Sequence, residues 1–141
     1  MIVVDTSVVL CLWVPSAFTA LAERALRQDA VWAAPFLWRS QFREFLGRCL
    51  RRRAMSLEAA LKAIEGSELL LKGQEYNVPS EKILKLAVES GRSACDCEFV
   101  ALAEDLNVPL VTTDDAVVKR FPRVACGLKS FAEPGKRRSS I

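Results

Sequence analysis

The chain has 141 residues, 51% of them hydrophobic and 26% charged, with a net charge of +3. That length suits one domain and leaves little room for two, and the apolar share is enough for a core, which excludes a disordered chain. There is no histidine, so Ser-His-Asp triads, Cys-His dyads, histidine-based ribonuclease chemistry and histidine-ligated zinc are all excluded.

In chain order, Ile2-Val3-Val4 predicts a short buried strand with Asp5 at its carboxyl end. Ser7 suits the cap of a short helix through Leu12, stopped near Pro15, and Ala17 to Arg27 has helical apolar spacing. Val31 to Ala34 predicts a second strand, with Pro35 in the first turn of a helix from Phe36 to Arg52. Trp38, Phe42, Phe45, Leu46 and Cys49 form the apolar stripe of that helix, with Arg39, Arg43 and Arg51 off it. A further helix starts at Ser56 and ends near Gly73, and Tyr76-Asn77-Val78 reads as a short strand or an extended connector. Ser80 suits the cap of a helix ended by Gly91. Ser93-Ala94-Cys95-Asp96 opens the next helix as a capping box, and Asn107 closes it. Pro109 to Thr112 predicts a buried strand, Ala116 to Phe121 a short helix, and Val124-Ala125 an edge strand. Residues 1–131 thus read as one domain, and 132–141 as a polar, basic tail that frays.

Alternating strands and helices imply a mostly parallel sheet covered on both faces, which binds ligands beyond the carboxyl ends of its strands. Asp5 and Asp114 each follow an apolar strand, and Asp96 lies at a helix start. Carboxylates brought together repel unless a cation sits among them or a proton is shared. Mg²⁺ and Mn²⁺ favour such oxygen ligands, and an ion so held activates water and polarises a phosphoryl oxygen. That is a route to phosphodiester hydrolysis without histidine. Each acid also has an architectural reading: Asp5 and Asp114 as caps or turn residues, Asp96 as the acid of its capping box.

Six arginines and one acid lie between Arg39 and Arg53. Such a cluster is either a solvated helix face or a phosphate-binding surface. The three tryptophans read as core or interface rather than base-stacking platforms. The five cysteines, odd in number and mostly isolated, read as reduced thiols of a cytoplasmic protein. The longest apolar run, Val8 to Val14, is too short to cross a bilayer, so no membrane partner is expected.

Three segments carry a family resemblance. Ile2-Val3-Val4-Asp5-Thr6-Ser7 resembles the opening of PIN domains, Ser93 to Ala103 resembles their S-x-x-D-x-x-[YF]-x-A-L-A helix, and Leu110-Val111-Thr112-Thr113-Asp114 resembles their L-V-T-x-D strand end. Order and spacing agree from Met1 to about Phe131. The resemblance implies a PIN-like α/β fold, a three-layer α/β/α sandwich with a mostly parallel central sheet. It also implies a ribonuclease dependent on Mg²⁺ or Mn²⁺, in which Asp5, Asp96 and Asp114 carry catalysis and hold the metal. It points to the VapC-like toxins of VapBC toxin–antitoxin pairs, and so to an RNA substrate, a cognate antitoxin and a homodimer.

The sequence departs from the family pattern in the segment Pro35 to Gln41, where Gln41 stands at the position of the family's glutamate. Glu44 lies three residues on, roughly 60° further round the helix, and is a candidate substitute. Glu98, Thr6, Ser7 and Thr112 are further candidates near the rim, and Arg39 and Arg43 are candidates for holding the RNA backbone. The alternative is a PIN-fold module that binds RNA or protein and cleaves weakly because Gln41 lacks the charge. A carboxylate–metal phosphatase of another fold is a third reading, without motif support.

Overall fold

The computed structural model describes residues 1–134. Five strands form one sheet: β1 (Ile2–Val4), β2 (Trp32–Pro35), β3 (Glu75–Tyr76), β4 (Leu110–Thr112) and β5 (Ala125–Gly127). Their order is β3-β2-β1-β4-β5, and every pairing among them is parallel. β1, β2 and β4 are buried throughout, as expected of parallel strands covered on both faces.

From β1 the chain moves outward to β2 and β3, then returns past β1 to lay down β4 and β5. Right-handed crossovers therefore put the two sets of connections on opposite faces. Helices α1 (Thr6–Trp13), α2 (Thr19–Gln28), α3 (Leu37–Arg51) and α4 (Leu57–Leu70) lie on one face. They pack on one another, and α8 (Leu128–Ala132) returns to pack on α2. Helices α5 (Ser80–Ser90) and α6 (Ala94–Leu106) cover the other face, with α6 against β1, β2 and β4, and α7 (Asp115–Arg120) joins β4 to β5. This is the expected three-layer sandwich.

Helix α6 buries Cys97 and every residue from Phe99 to Ala103, because it lies between the sheet and α5. Gly91 ends α5 at φ 73°, and Asn107 ends α6 at φ 54°, the left-handed conformations expected at those stops. Trp32 and Trp38 are core residues. Trp13 is more exposed, but its ring lies so close to Gly66 that a Cβ there would fall 2.2 Å from the Trp13 Cη2 atom.

Several boundaries differ from expectation. Pro35 closes β2 instead of entering the helix, since the next N–H, that of Phe36, makes the bond to Tyr76 O that continues the ladder. Pro79, not Ser80, caps α5. Helix α1 starts at Thr6, ahead of Ser7, which turns its hydroxyl to the Thr113 N–H. Helix α8 was not expected; Ala132 is buried on it, and Glu133 accepts a 2.9 Å bond from Arg24. The remainder of the polar tail, from residue 135, lies outside the described residues. No helix among the described residues is long and apolar enough to cross a membrane, and none of the five cysteines forms a disulfide.

Candidate active site

The order of strands reverses between β1 and β4, and this is where an open parallel sheet forms its crevice. Asp5 leaves the carboxyl end of β1, and its N–H donates to Val111 O of β4 at 3.0 Å. Its carboxylate does not cap α1. Instead Oδ2 accepts a 2.7 Å hydrogen bond from the Thr112 hydroxyl. Thr112 is fully buried, and its Oγ1 also accepts the Asp114 N–H at 3.0 Å. One hydroxyl thus ties the loop after β1 to the loop after β4.

Asp114 caps α7 through Oδ1, which accepts the Ala116 N–H at 2.9 Å, so its architectural role is present. Its other oxygen, Oδ2, faces the guanidinium of Arg92 at 3.7 Å. At the start of α6, Ser93 Oγ accepts the Asp96 N–H at 3.1 Å, half of a capping box. The Asp96 carboxylate is turned to Arg92 instead: Oδ2 takes Nη2 at 2.7 Å and Nε at 3.2 Å.

Burial pushes the Asp5 carboxyl above its usual range. The bonds from the Thr112 hydroxyl and the Thr6 N–H oppose this, and the charges of Asp96 and Asp114 add to it. The charges at the start of α6 and after β4 are thus felt at Asp5, at the end of β1. Glu98, one turn into the same helix, is partly buried, and burial raises its carboxyl, but its charge is not among those that shift Asp5.

Helix α3 supplies the facing wall. Buried Thr6 donates a 2.6 Å hydrogen bond to Gln41 Oε1. Asp5, Thr6 and Ser7 share a groove of about 440 Å³ with Gln41 and Glu44 of α3, so both α3 candidates border the space beside Asp5, while Asp96 and Asp114 are not among its lining residues. Phe45 and Arg48 extend that wall, with the Arg48 guanidinium 5.8 Å from the Phe45 ring. A hollow of about 460 Å³ at the opposite end of β4 contains Glu104, Asn107 and Arg123 but no such meeting of acids.

The two arginines singled out from the sequence have different surroundings. Arg39 grips Glu75 through Nε at 2.6 Å and Nη2 at 2.8 Å, and Nη1 lies 3.2 Å from Glu68. Trp38 Nε1 also donates to Glu75, at 2.8 Å. The Arg39 guanidinium therefore fastens α3 to β3 and α4. Arg43 is exposed, and among the described residues only its Nε is engaged, by Arg39 O at 3.1 Å. Sequence reasoning missed Arg92, Phe45 and Arg48. The signal for Arg92 was its place four residues before Asp96, between a helix-ending Gly91 and the next cap.

The chain belongs to the PIN domain family, whose profile matches residues 2–125. Members of this family are in general nucleases, and they typically use divalent metal ions. The crystal structure of PAE2754 from Pyrobaculum aerophilum is similar, with a TM-score of 0.75 and 19% identity over 99% of this chain and 90% of that one. That likeness shows the fold. No match is found among curated proteins.

The donor set suits a divalent ion. Three carboxylates, with hydroxyls and an amide carbonyl beside them, are the hard oxygen ligands that Mg²⁺ and Mn²⁺ take. Among the described residues, however, no three Asp, Glu or Cys side chains stand close enough to share one ion as they are placed. Arg92 lies between two of the acids, and its guanidinium supplies the positive charge that they require.

Proposed function

We propose that the protein is a divalent-metal-dependent endoribonuclease and the toxin of a toxin–antitoxin pair of the VapBC kind. The observation that supports this most is geometric: at the switch point of the sheet the Thr112 hydroxyl bonds both Asp5 and Asp114, and the Arg92 guanidinium faces both Asp96 and Asp114. In this reading the three carboxylates hold Mg²⁺ or Mn²⁺. The bound ion supplies Lewis acidity at the phosphoryl group and activates the attacking water.

The chain's own residues do the rest. Thr112 holds the Asp5 carboxylate in one orientation. Gln41 and Glu44 offer oxygens that orient water in the groove. Arg43 and Arg48, exposed along α3, neutralise backbone phosphates without reading sequence. Phe45 offers a face on which a base of single-stranded RNA can stack. The substrate is then RNA with unpaired bases, and the cognate antitoxin blocks the same groove. The enzyme works as a homodimer in the cytoplasm, where its thiols stay reduced.

The test is cleavage of a mixed single-stranded RNA by purified protein with Mn²⁺ added or removed by a chelator, beside growth of cells expressing it. Metal-dependent cleavage lost in Asp5→Asn, and growth arrest relieved by the product of the adjacent gene, are expected. Metal binding without cleavage would select the binding-module reading. Growth arrest that persists in Asp5→Asn would remove the toxin mechanism.

A further inference from the structure

Arg92 is anchored at its backbone, and among the described residues its partly exposed side chain is held at the tip by carboxylates alone. Gly91, before it, turns the chain at φ 73°. The Arg92 N–H is held by Ser90 Oγ at 3.0 Å, and its carbonyl accepts the Cys97 thiol at 3.9 Å. About a third of its side chain, 32%, is exposed. From that anchor the guanidinium reaches Asp96 of α6 and also Asp114, on the loop after β4. A surface pair within one helix contributes little and joins nothing. This contact differs, because it spans two elements, meeting Asp96 at the start of α6 and Asp114 after β4, the two acids whose charges reach Asp5.

We propose that Arg92 is the resident counter-ion of the acidic cleft, neutralising Asp96 and Asp114 and competing with a divalent cation for the same carboxylate oxygens. The inference rests on reading Asp5, Asp96 and Asp114 as the metal-holding set. Asp96 Oδ2, which accepts two N–H groups of Arg92, is then an oxygen the cation needs. A guanidinium left in place would also repel the incoming ion. Cation entry therefore requires Arg92 to swing outward, which its long, partly exposed side chain permits. A phosphate arriving in the cleft offers the displaced guanidinium a bidentate partner. RNA and metal should then assist one another's binding, by linkage through one arginine.

The test uses the metal-free full-length chain, with Mn²⁺ binding followed by calorimetry and folding by circular dichroism. Arg92→Gln should bind Mn²⁺ at least about tenfold more tightly than the natural protein, because a unit charge a few ångströms from the ion is gone. Arg92→Lys keeps the charge but loses the planar fork that engages two carboxylates, and should tighten binding by a smaller factor. Arg123→Gln removes the same charge at the opposite end of the sheet and should match the natural protein. If Arg92→Gln does not fold, Arg92→Lys decides. Mn²⁺ affinity equal to or weaker than that of the natural protein, in whichever Arg92 variant folds, overturns the inference and leaves the metal site standing. No Mn²⁺ binding in any variant overturns the metal site and the inference together.

Discussion

The Thr112 hydroxyl lies between Asp5 and Asp114, donating to the carboxylate of one at 2.7 Å and accepting the N–H of the other at 3.0 Å. Thr112→Val keeps the shape and removes both bonds, leaving an unpaired N–H and a less supported carboxylate. Stability should fall by about 1–3 kcal/mol. Metal affinity or cleavage should fall about 10- to 100-fold, as for other residues that orient a ligand. Unchanged Mn²⁺ affinity in a folded Thr112→Val protein would show that Asp5 does not need this support.

Asp5→Asn should abolish cleavage and yet stabilise the metal-free protein. The folded carboxyl titrates above its usual value, first because of burial and then because of Asp96 and Asp114. Ionising it therefore costs stability. That cost is absent below the ordinary carboxylate value of about 4, grows as pH rises, and is complete above the raised folded value. At pH 7–8 the variant should melt higher by roughly 3–5 °C, and the gap should close near pH 4. A lower melting temperature at neutral pH would contradict the burial argument.

Gln41→Glu should raise metal affinity. A carboxylate at this position can accept the Thr6 hydroxyl bond that Gln41 Oε1 accepts now, and it adds a negative charge to a groove that already holds Asp5 and Glu44. If Glu44 already fills the family glutamate's role, Glu44→Gln should be the damaging change and Gln41→Glu neutral. Calorimetry and RNA cleavage on the two single variants and the double variant separate these outcomes. No change in any of them would mean that α3 does not border the metal.

Glu75→Gln should weaken the fold without touching the chemistry. The Arg39 bonds hold the Glu75 carboxyl below its usual range against the opposing effect of burial, and the Trp38 N–H assists. The stabilisation is present above the ordinary carboxylate value and is lost as pH falls through the lowered folded one. The variant should cost about 1–3 kcal/mol at neutral pH and progressively less in acid. Denaturant melts at pH 7 and pH 3 would check this; an equal loss at both would rule out the charged pair as its cause.

Glu104→Ala and Asp105→Ala should leave cleavage within a few-fold. Both lie near the far end of α6 from Asp96, and Asp105 pairs with Lys82. A hundredfold loss in either would place the active site at the wrong end of that helix.

The central strands and long helices were legible because their signals are local: Ile2-Val3-Val4, Leu110-Val111-Thr112 and the stops at Gly91 and Asn107 appear where periodicity and caps place them. Strand ends followed by aspartate likewise announced Asp5 and Asp114. Side-chain direction was not local. Asp5 has the sequence context of a helix cap, yet it turns to Thr112, 107 positions away. Arg39 and Arg43 look equivalent in sequence, and only the arrival of β3 beside α3 engages one guanidinium with Glu75. For Arg92 only the spacing to Asp96 was local; its second partner, Asp114, reaches it only through the crossover.

That 107-residue separation between Asp5 and Thr112 also governs when the chain can act during its own synthesis. Ile2 and Val3 can pair with β2 early, but Asp5 has neither Thr112 nor Asp114 beside it until β4 has left the ribosome. Bringing such distant segments together is the slow part of folding. At about 5–20 residues per second, the nascent chain spends several seconds or longer with an incomplete site. A nuclease built on this topology is inert towards the messenger and the ribosome making it until nearly the whole domain has been translated.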